Sequence, residues 1–490
     1  MPDAPQREGS VTADVAVVGG GATGLAAAVA AAELGARVVL LEKRKLLGGN
    51  SNMAEGIFAT ESPLQQRMRI DAPSDLFFKL AMDYAHQRAD PLVVRAFIDK
   101  SGDTVRWLEG KGLEFDWVHH LIPNQGPRTW HCLRGHGKRL TRVLERECER
   151  LGVQVVRGAR AEHLMIADDG AVRGVEARIG DARIVVEAGS VIVGTGGFGG
   201  DPALLDEHCG AYSSGLQYAG IREVTGDGLR MALEAGAATE GLGRLQTYGP
   251  VFADDWEAGA IVGEPTTVWV NDRGERFADE SLSFNEFEMG NAVLRQPGAR
   301  CTCLFDAGVV AEVHERGLLK GVSMLDTPPG CKLPDLDARL ARHECDGVVK
   351  TASTWADIAG WLGLPAGVLE HTVGEYNAAC ERRRDPVFAK DPRYLRPLTE
   401  PPFVAMRCTA AFLGTLGGIK IDEHMRVLGV GGEPILGLYA GGVDTGGWES
   451  DTYCALLPGS TYGFALNSGR IAGEHATRLT RDRARPVPLD

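Results

Sequence analysis

Features that define several common protein classes are missing from this sequence of 490 residues. Its ten cysteines form no C-x-x-C pair and no C-x-x-C-H haem motif, so we predict reduced thiols and no metal site. No apolar run approaches the roughly 18–20 residues of a membrane span. The first ten residues lack the charged-then-apolar form of a signal peptide. We therefore expect a cytoplasmic chain without a membrane span.

An excess of basic residues is missing as well. Lys and Arg total 52 against 66 Asp and Glu, and the formal net charge is −14. This balance argues against nucleic acid or an anionic membrane surface as a partner. Hydrophobic residues make up 44% of the chain and charged residues 24%, as in a globular protein long enough for two or three domains.

A glycine-rich turn near the start of the chain carries the first positive signal. The stretch VTADVAVVGGGATG, residues 11–24, reads as a buried strand, a tight turn and the start of an alanine-rich helix. Gly19, Gly21 and Gly24 occupy the G-x-G-x-x-G positions, where glycines permit the turn, a close approach of a pyrophosphate, and helix–strand packing. The N–H groups and the positive dipole end of the helix would face the phosphates.

The residues that follow this turn strengthen a dinucleotide assignment, because such turns also occur without a ligand. A second apolar strand, residues 37–41, ends in Glu42, which stands 18 residues after Gly24, where a carboxylate accepts ribose hydroxyls. A polar, glycine-rich loop over residues 43–56 can lie along the bound dinucleotide or serve only as a structural loop.

The rest of the chain predicts an excursion from this domain and a return to it. Helical periodicity covers residues 74–111 and 138–151, a hairpin-like region follows over 161–179, and a buried strand at 190–193 ends in glycines. Residues 240–350 mix short strands with turns and indicate an inserted second domain.

Motifs along almost the whole chain resemble the flavoprotein family of fumarate reductases and succinate dehydrogenases, which includes ketosteroid and tricarballylate dehydrogenases. The matching segments are VVGGGATGLAAA, LLEKRKLLGGNS, VIVGTGGFGG (191–200), VTGDGLRMALEAGA (224–237), VWVNDRGERFADE (268–280), TLGGIKIDEHMRV (415–427), PILGLYAGGVDTGG (434–447) and GFALNSGRIAGE (463–474). The resemblance implies an α/β protein with a Rossmann-type FAD-binding domain, residues 1–238 and 353–490, and an inserted α+β capping domain, residues 239–352.

The resemblance also implies which residues hold FAD. The family's usual covalent anchor is a histidine in the loop after the second strand, and none occurs between Glu42 and Gly56, so we expect FAD to be held non-covalently. The stretch from Ala440 to Gly446 is one residue longer than the family's A-G-E-V-T-G-G, which leaves the replacement of its glutamate open. Carried over position by position, the cofactor residues are Gly19, Gly21, Ala22, Thr23, Gly24, Glu42, Lys43, Asn50, Ser51, Gly56, Ala161, Thr195, Gly196, Asp227, Gly442, Val443, Asp444 and Ser460.

The chain departs from the fumarate reductases at the positions that bind two carboxylates. At three family positions for a histidine, an arginine and a second histidine stand Tyr248, Phe284 and the Leu413–Gly414 segment, and no arginine occurs between Gly447 and Gly469. Desolvating a dicarboxylate without cationic partners is unfavourable, so the sequence predicts against fumarate as the substrate.

Aromatic side chains occupy the matched segments instead. In the ketosteroid branch, tyrosines bind the ketone oxygen and remove the α-proton while flavin N5 takes the β-hydride, so the resemblance makes Tyr453 and Tyr248 the candidate catalytic residues. The tyrosine that precedes P-G in the family is Leu457 here, which leaves the donor open, and each aromatic also has a plain core-packing explanation. The candidate substrate-pocket residues are Trp448, Phe284, His131 and Tyr462.

The resulting hypothesis is an FAD-dependent dehydrogenase that introduces a double bond α,β to a carbonyl of an apolar substrate such as a cyclic ketone. Its partners would be this small molecule and an unidentified electron acceptor. The alternatives are an ene-reductase of an enone or unsaturated acid, an oxidase that reacts with oxygen, and a flavin-binding protein without dehydrogenase activity.

Overall fold

A computed structural model of the chain describes residues 9–122, 126–210, 216–252, 255–323 and 326–484. The described residues form two compact units. The first is built from residues 9–210, 220–245 and 414–484, and the second from 216–219 and 246–413, with the gaps given above. Within the described residues, no helix is both long and apolar enough to cross a membrane.

The described residues form strands and helices along most of their length. The strands are β1 (Gly9–Val18), β2 (Val38–Glu42), β3 (Gly56–Phe58), β4 (Phe115–His119), β5 (Trp130–Leu133), β6 (Gln154–Arg157), β7 (Arg160–Ile166), β8 (Val172–Ile179), β9 (Ala182–Val193), β10 (Gln217–Tyr218), β11 (Thr239–Glu240), β12 (Leu245–Val251), β13 (Val268–Val270), β14 (Arg300–Asp306), β15 (Val349–Ala352), β16 (Phe403–Thr415), β17 (Gly418–Ile419), β18 (Arg426–Leu428) and β19 (Pro434–Ala440). The helices are α1 (Ala22–Glu33), α2 (Pro63–Arg67), α3 (Ser74–Tyr84), α4 (Pro91–Glu109), α5 (His136–Arg150), α6 (Pro202–Cys209), α7 (Asp227–Glu234), α8 (Trp256–Gly259), α9 (Glu286–Leu294), α10 (Ala307–Arg316), α11 (Leu336–Cys345), α12 (Trp355–Leu362), α13 (Val368–Glu381) and α14 (Ser460–Ala484).

The main sheet of the first unit has the strand order β18-β19-β9-β1-β2-β6, and the β7–β8 hairpin is joined to β9. Its central strands run parallel, with Val15 opposite both Val38 and Ser190. All five residues of β2 are buried, as expected for a parallel strand covered on both faces. Because the carboxyl ends of parallel strands meet at one edge, the loops after β1, β2, β9 and β19 gather there.

Two helices pack closely against each other beside this sheet because small residues form their contact. A Cβ atom at Gly469 of α14 would lie 2.2 Å from the carbonyl oxygen of Thr23 in α1, and one at Gly473 would lie 2.4 Å from that of Ala27.

The predicted helices over 74–111 and 138–151 are confirmed as α3, α4 and α5.

The second unit is an α+β body around a largely antiparallel sheet. The sheet runs β10-β16-β14-β13, with β12 and β15 also paired to β16. Its core is a continuous apolar cluster that includes Trp269, Phe305, Ile358 and Tyr376.

The boundaries of this unit differ from the predicted capping domain at 239–352. The unit continues to Leu413, so α12, α13 and most of β16 belong to it rather than to the FAD-binding domain. The physical reason is that Trp355 of α12 stacks on Phe403 of β16 with ring centroids 4.3 Å apart, and β16 pairs with β14 and β15. The spacing of apolar residues along a helix does not show the core against which the helix packs.

Candidate functional site

The turn after β1 has the geometry of a phosphate-binding turn. Gly19 has a φ of +101°, and a Cβ atom at Gly24 would lie 1.8 Å from the carbonyl oxygen of Gly19, so neither position accepts another residue without movement. Gly21 caps α1 with no side-chain hydrogen bond, and the backbone N–H of Ala22 donates to Oγ of Ser51 at 3.1 Å. Gly21 leaves space at the N-terminus of α1, and Ser51 lies beside it with its hydroxyl on the N–H of Ala22.

Glu42 stands at the carboxyl end of β2, where its carboxylate reaches the turn. Oε2 accepts from the N–H of Gly20 at 2.7 Å, and Oε1 accepts from the N–H of Arg44 at 2.7 Å. These bonds fix the carboxylate at the sheet edge, in the position expected of a group that binds the adenosine ribose. Ala161, predicted beside the adenine, is buried in β7.

The loop after β2 is tied to other parts of the first unit by its polar side chains. Oδ1 of Asn50 accepts from the N–H of Ile221 at 2.7 Å. Gly56 begins β3, where a Cβ atom would lie 2.5 Å from the carbonyl oxygen of His131. The structure therefore places Asn50 beside Ile221 and Gly56 against β5.

Two predicted cofactor residues, Lys43 and Asp227, bind each other. Nζ of Lys43 lies 2.7 Å from Oδ2 of Asp227, and Arg160 donates to Oδ1 at 2.8 Å. Burial is the largest single influence on the Asp227 carboxyl, and it raises the pKa. The two cations and the hydrogen bonds that they donate together outweigh burial, so the pKa lies below its usual range. The carboxylate thus organises basic side chains rather than facing a phosphate directly.

Asp444 supports the loop that follows β9. Its buried carboxylate accepts hydrogen bonds from the backbone N–H groups of Thr195, Gly196 and Gly197 and from Oγ1 of Thr195. Burial raises the pKa of this carboxyl, and the four bonds oppose the increase. This arrangement identifies Asp444 as the acidic residue of the lengthened loop, although it faces the 195–197 turn rather than open space.

The neighbouring loop residues are held through the main chain. Gly442 has a φ of +62°, and its N–H donates to Oγ of Ser468 at 2.9 Å. The carbonyl oxygen of Val443 accepts from Oγ1 of Thr415 at 3.2 Å.

These residues together fit an FAD molecule. A glycine turn at the N-terminus of a helix, a carboxylate at the end of β2, and two glycine-rich loops at the same edge are the parts that a dinucleotide requires. The described residues contain no group of three or more His, Cys, Asp or Glu side chains that could hold a metal ion.

Backbone groups of the protein occupy the hydrogen-bonding positions of the Tyr453 hydroxyl. It accepts from the N–H groups of Gly459 at 2.8 Å and Ser460 at 3.1 Å, and it donates to the carbonyl oxygen of Leu457 at 3.4 Å. A phenol oxygen has two acceptor positions, so none remains for a substrate proton. This geometry differs from the prediction of a catalytic base and makes Tyr453 a residue that shapes the start of α14.

His131 likewise satisfies both ring nitrogens within the protein. Nδ1 donates to the carbonyl oxygen of Thr129 at 2.9 Å, and Nε2 accepts from the hydroxyl of Ser62 at 2.7 Å. Burial lowers the pKa of His131 to about 4, so the ring is neutral at pH 7. The structure therefore gives it a role in joining β5 to α2, in contrast to the predicted contact with substrate or flavin.

Two other predicted pocket residues of the first unit are Trp448, in the loop before α14, and Tyr462, in the first turn of α14. Trp448 stacks on Phe464 with centroids 4.8 Å apart, and its Nε1 donates to the carbonyl oxygen of Thr445 at 3.1 Å. Tyr462 is buried, and its hydroxyl has no hydrogen-bond partner among the residues with described positions. A buried unpartnered hydroxyl is costly unless a ligand or water satisfies it, so Tyr462 remains a candidate for ligand contact.

The remaining two predicted residues belong to the second unit. Tyr248 lies parallel to Trp256 with ring centroids 6.0 Å apart, and its buried hydroxyl also lacks a partner in the described part of the chain. Burial raises the pKa of this phenol, which makes it a hydrogen-bond donor rather than a base. Phe284 packs against Tyr394, with centroids 5.4 Å apart.

The sequence reasoning missed two features of the first unit. The first is Glu449, a buried carboxyl that accepts from the N–H of Cys454 at 3.4 Å and from Oγ of Ser460 at 3.2 Å. The second is a cleft lined by His120, Thr129 and the apolar residues Leu121, Ile122, Pro127, Ala455, Leu456 and Pro458. A lone glutamate and scattered apolar residues produce no motif, so only the fold could bring them together.

Comparison with known proteins agrees with the geometry. Residues 14–454 match the family model described as an FAD binding domain. The chain belongs to this flavoprotein family. The predicted Rossmann-type α/β class is confirmed, and the chain is an FAD-dependent oxidoreductase acting on CH–CH groups.

Relatives of known activity match nearly the whole chain. A vinyl phenol reductase of Lactiplantibacillus plantarum is 33% identical over 96% of this chain and 97% of its own length. A fumarate reductase (cytochrome) of Shewanella frigidimarina is 27% identical over 96% of this chain and 78% of its own length. The structure of the 3-ketosteroid Δ1-dehydrogenase of Sterolibacterium denitrificans superposes with a TM-score of 0.81 over 96% of this chain and 100% of that one, at 20% identity, which supports the shared fold.

Proposed function

We propose that this enzyme reduces a carbon–carbon double bond in a neutral, largely apolar substrate that carries one hydrogen-bonding group, such as a vinylphenol. The observation that carries the proposal is the similarity to the vinyl phenol reductase, which extends over 96% of this chain and 97% of that protein. The departures from the fumarate reductases agree with it, because Tyr248 and Phe284 stand where the resemblance places a histidine and an arginine. A dicarboxylate needs paired cations, so these neutral side chains favour a neutral substrate.

A small cleft of the first unit also has two unpartnered polar atoms. Nδ1 of His120 and Oγ1 of Thr129 are buried and have no hydrogen-bond partner among the described residues. One small polar group that both donates and accepts, such as a hydroxyl or a water, could satisfy one or both of them. The vinyl phenol reductase supports the substrate class and the direction of reduction.

The cofactor residues would hold FAD without a covalent bond. FAD supplies the hydride chemistry that adds or removes a carbon–carbon double bond. The turn at Gly19–Gly24 and Glu42 would bind its pyrophosphate and ribose, and Asp444 would keep the 195–197 loop in place. The loop between Glu42 and Gly56 offers no histidine as an anchor. We also propose that a separate redox partner supplies the electrons.

Desaturation of a saturated ketone is the second candidate function, in agreement with the hypothesis from the sequence. The unpartnered phenols of Tyr248 and Tyr462 favour it. Each could donate a hydrogen bond to a ketone oxygen and stabilise the enolate that forms when the α-proton leaves. Both functions use the same bond change in opposite directions, so one set of measurements separates them.

The test uses purified holoenzyme under anaerobic conditions. Dithionite-reduced enzyme is mixed with 4-vinylphenol, cyclohexenone or fumarate, and the return of the oxidised flavin spectrum is followed. The proposal expects fast reoxidation by 4-vinylphenol and little by fumarate. Bleaching of oxidised enzyme by a saturated cyclic ketone, with no reoxidation by any alkene, would favour desaturation instead. Acid denaturation should release the flavin from the protein if it is non-covalently bound.

A further inference from the structure

A compact polar cluster lies at the start of α14, within the first unit. Oγ of Ser460 donates to Oε1 of Glu449 at 3.2 Å, and the backbone N–H of Ser460 donates to the hydroxyl of Tyr453 at 3.1 Å. The N–H of Cys454 also donates to Oε1 of Glu449 at 3.4 Å. All three side chains of the Glu449–Ser460–Tyr453 cluster are buried.

Glu449 is the one group in this cluster that can release a proton near neutral pH. Its carboxyl makes no ion pair with any described residue; the titratable side chain beside it is Tyr453, and Cys454 contacts it through its backbone N–H. Arg244 lies nearby but donates to the main-chain carbonyl of Glu449, and it also pairs with Asp451. Burial, opposed by hydrogen bonds from Cys454, Ser460 and the Ser450 N–H, raises the pKa of Glu449 to about 8.

An acid of this kind is rare without a reason, because burying a carboxyl without a cation costs free energy. General acids in enzymes have pKa values near the working pH, and burial is a common way of reaching them. Tyr453 cannot serve in its place because its hydroxyl is fully hydrogen-bonded. Its two accepted bonds instead hold Gly459 and Ser460, and so keep the Ser460 hydroxyl against Glu449.

We propose that Glu449 stores the proton that the enzyme adds to the substrate carbon, and that the Ser460 hydroxyl bonded to it passes this proton on. The inference rests on the proposed reduction, in which the alkene would gain one proton and one hydride, and FAD would supply the hydride when bound. The O–H bond of Glu449 breaks as its proton moves to Oγ of Ser460, the proton already on Oγ forms the new C–H bond, and water later returns a proton to the Glu449 carboxylate. Because Glu449 acts through Ser460, it is a positioning residue.

Three variants test this assignment. Glu449→Gln keeps the size and a hydrogen-bond acceptor but carries no transferable acidic proton, and Glu449→Asp restores a carboxyl. Asp451→Asn is the matched control, since Asp451 lies on the same loop but is half exposed and pairs with Arg88 and Arg244. Flavin content and melting temperature are measured for each, so that a variant that fails to fold or to bind FAD is recognised, and Glu449→Asp then carries the comparison.

The first readout does not depend on turnover. Infrared spectra of the wild-type holoenzyme should show a protonated carboxyl C=O band at pH 6–7 that disappears as the pH passes about 8, the pKa given above. Glu449→Gln should lack this band, and Asp451→Asn should retain it. If the wild-type spectrum shows no titrating carboxyl band, or if Glu449→Gln keeps that band, the assignment of Glu449 is overturned, whichever substrate the enzyme uses.

The second readout is reoxidation of the reduced enzymes by 4-vinylphenol as a function of pH. The wild-type and Asp451→Asn rates should fall as the pH rises through about 8, the pKa of Glu449. Glu449→Gln should lose roughly 100-fold or more in rate and lose this pH dependence, while Glu449→Asp recovers part of both. If the wild type reacts with an alkene and Glu449→Gln reacts at the same rate, the role of Glu449 is overturned but the proposed reduction stands. A wild type that reacts with none of the alkenes would overturn the proposed reduction, and this role with it.

Discussion

Oγ1 of Thr195 donates to the carboxylate of Asp444 at 2.8 Å, and the next two backbone N–H groups, of Gly196 and Gly197, donate to the same carboxylate at 3.0 and 2.9 Å. The buried Asp444 carboxylate thus accepts hydrogen bonds from all three residues of the 195–197 turn after β9. Asp444→Ala should leave these donors unpaired, lower the free energy of unfolding by about 3 kcal/mol, and reduce FAD content. Urea unfolding and the flavin-to-protein absorbance ratio measure both effects.

A matched control separates this turn from a general effect of losing an aspartate. Asp391 is on the surface and pairs with the exposed Arg393, so Asp391→Ala should shift the urea unfolding midpoint far less than Asp444→Ala does and leave FAD content unchanged. Equal losses in both variants would mean that Asp444 does not organise the 195–197 turn.

Gly24 should tolerate no side chain, because its Cβ position lies 1.8 Å from the carbonyl oxygen of Gly19. We expect Gly24→Ala to be purified with little or no FAD and with a lower melting temperature, since the helix and the turn must separate. Gly374→Ala is the control: Gly374 lies within α13 and has open space around its Cβ position, so alanine should stabilise the helix by about 0.5–1 kcal/mol. Full flavin content in Gly24→Ala would contradict the packing argument.

The two tyrosines near the start of α14 should respond to loss of the hydroxyl with opposite signs. Tyr453→Phe removes the acceptor of two backbone N–H groups and should destabilise the protein by about 2 kcal/mol. Tyr462→Phe removes a buried hydroxyl that has no partner among the described residues, so without substrate it should be neutral or slightly stabilising. The melting temperatures of the two variants, compared at equal FAD content, test this prediction. A larger decrease for Tyr462→Phe than for Tyr453→Phe would contradict the structural role given to the Tyr453 hydroxyl.

Local sequence signals predicted the strand, turn and helix of the glycine-rich segment, because these three elements form one continuous stretch of the chain. Gly19, Gly24 and Glu42 could be located from spacing alone, since strand, turn and helix follow one another along the chain. The catalytic half could not be located in this way. Whether a tyrosine is a base or a structural residue depends on which backbone groups reach its hydroxyl, and for Tyr453 these come from Leu457, Gly459 and Ser460.

The boundary of the second unit and the buried carboxyl of Glu449 could not be predicted from the sequence for a related reason. Periodicity shows that α12 is amphipathic but not that Trp355 meets Phe403. A glutamate is read by default as a surface residue, and only its burial without a cation distinguishes Glu449 from the exposed carboxylates.

The second unit contains a buried ion network whose disruption should be costly. Nζ of Lys390 lies 3.1 Å from Oε2 of Glu280, both side chains are fully buried, and Arg276 also donates to Glu280. Glu280→Gln would leave two buried cations without their shared partner and should lower the free energy of unfolding by about 3–5 kcal/mol. Asp272→Asn, which breaks an exposed pair with Arg300, should cost less than about 1 kcal/mol. Similar denaturation midpoints would contradict this difference.

Stability should depend on pH through Glu449. Its pKa is about 8 in the folded protein and near 4.5 in the unfolded chain, so between these values the folded state binds one more proton than the unfolded state. Stability that comes from this group is therefore present below about pH 4.5 and is lost as the pH rises towards 8, with a slope of at most about 1.4 kcal/mol per pH unit.

Glu449→Gln removes this titration while keeping the side-chain shape, so the free energy of unfolding of the wild type relative to this variant should fall steadily from pH 5 to pH 8. Urea unfolding at four pH values in that range measures the difference, and the other titrating groups cancel because both proteins share them. Parallel stability profiles would mean that the folded protein binds no extra proton at Glu449. The carboxyl would then be ionised at neutral pH, and the hydrogen bonds from Cys454 and Ser460 would be stabilising a buried anion instead of a stored acid.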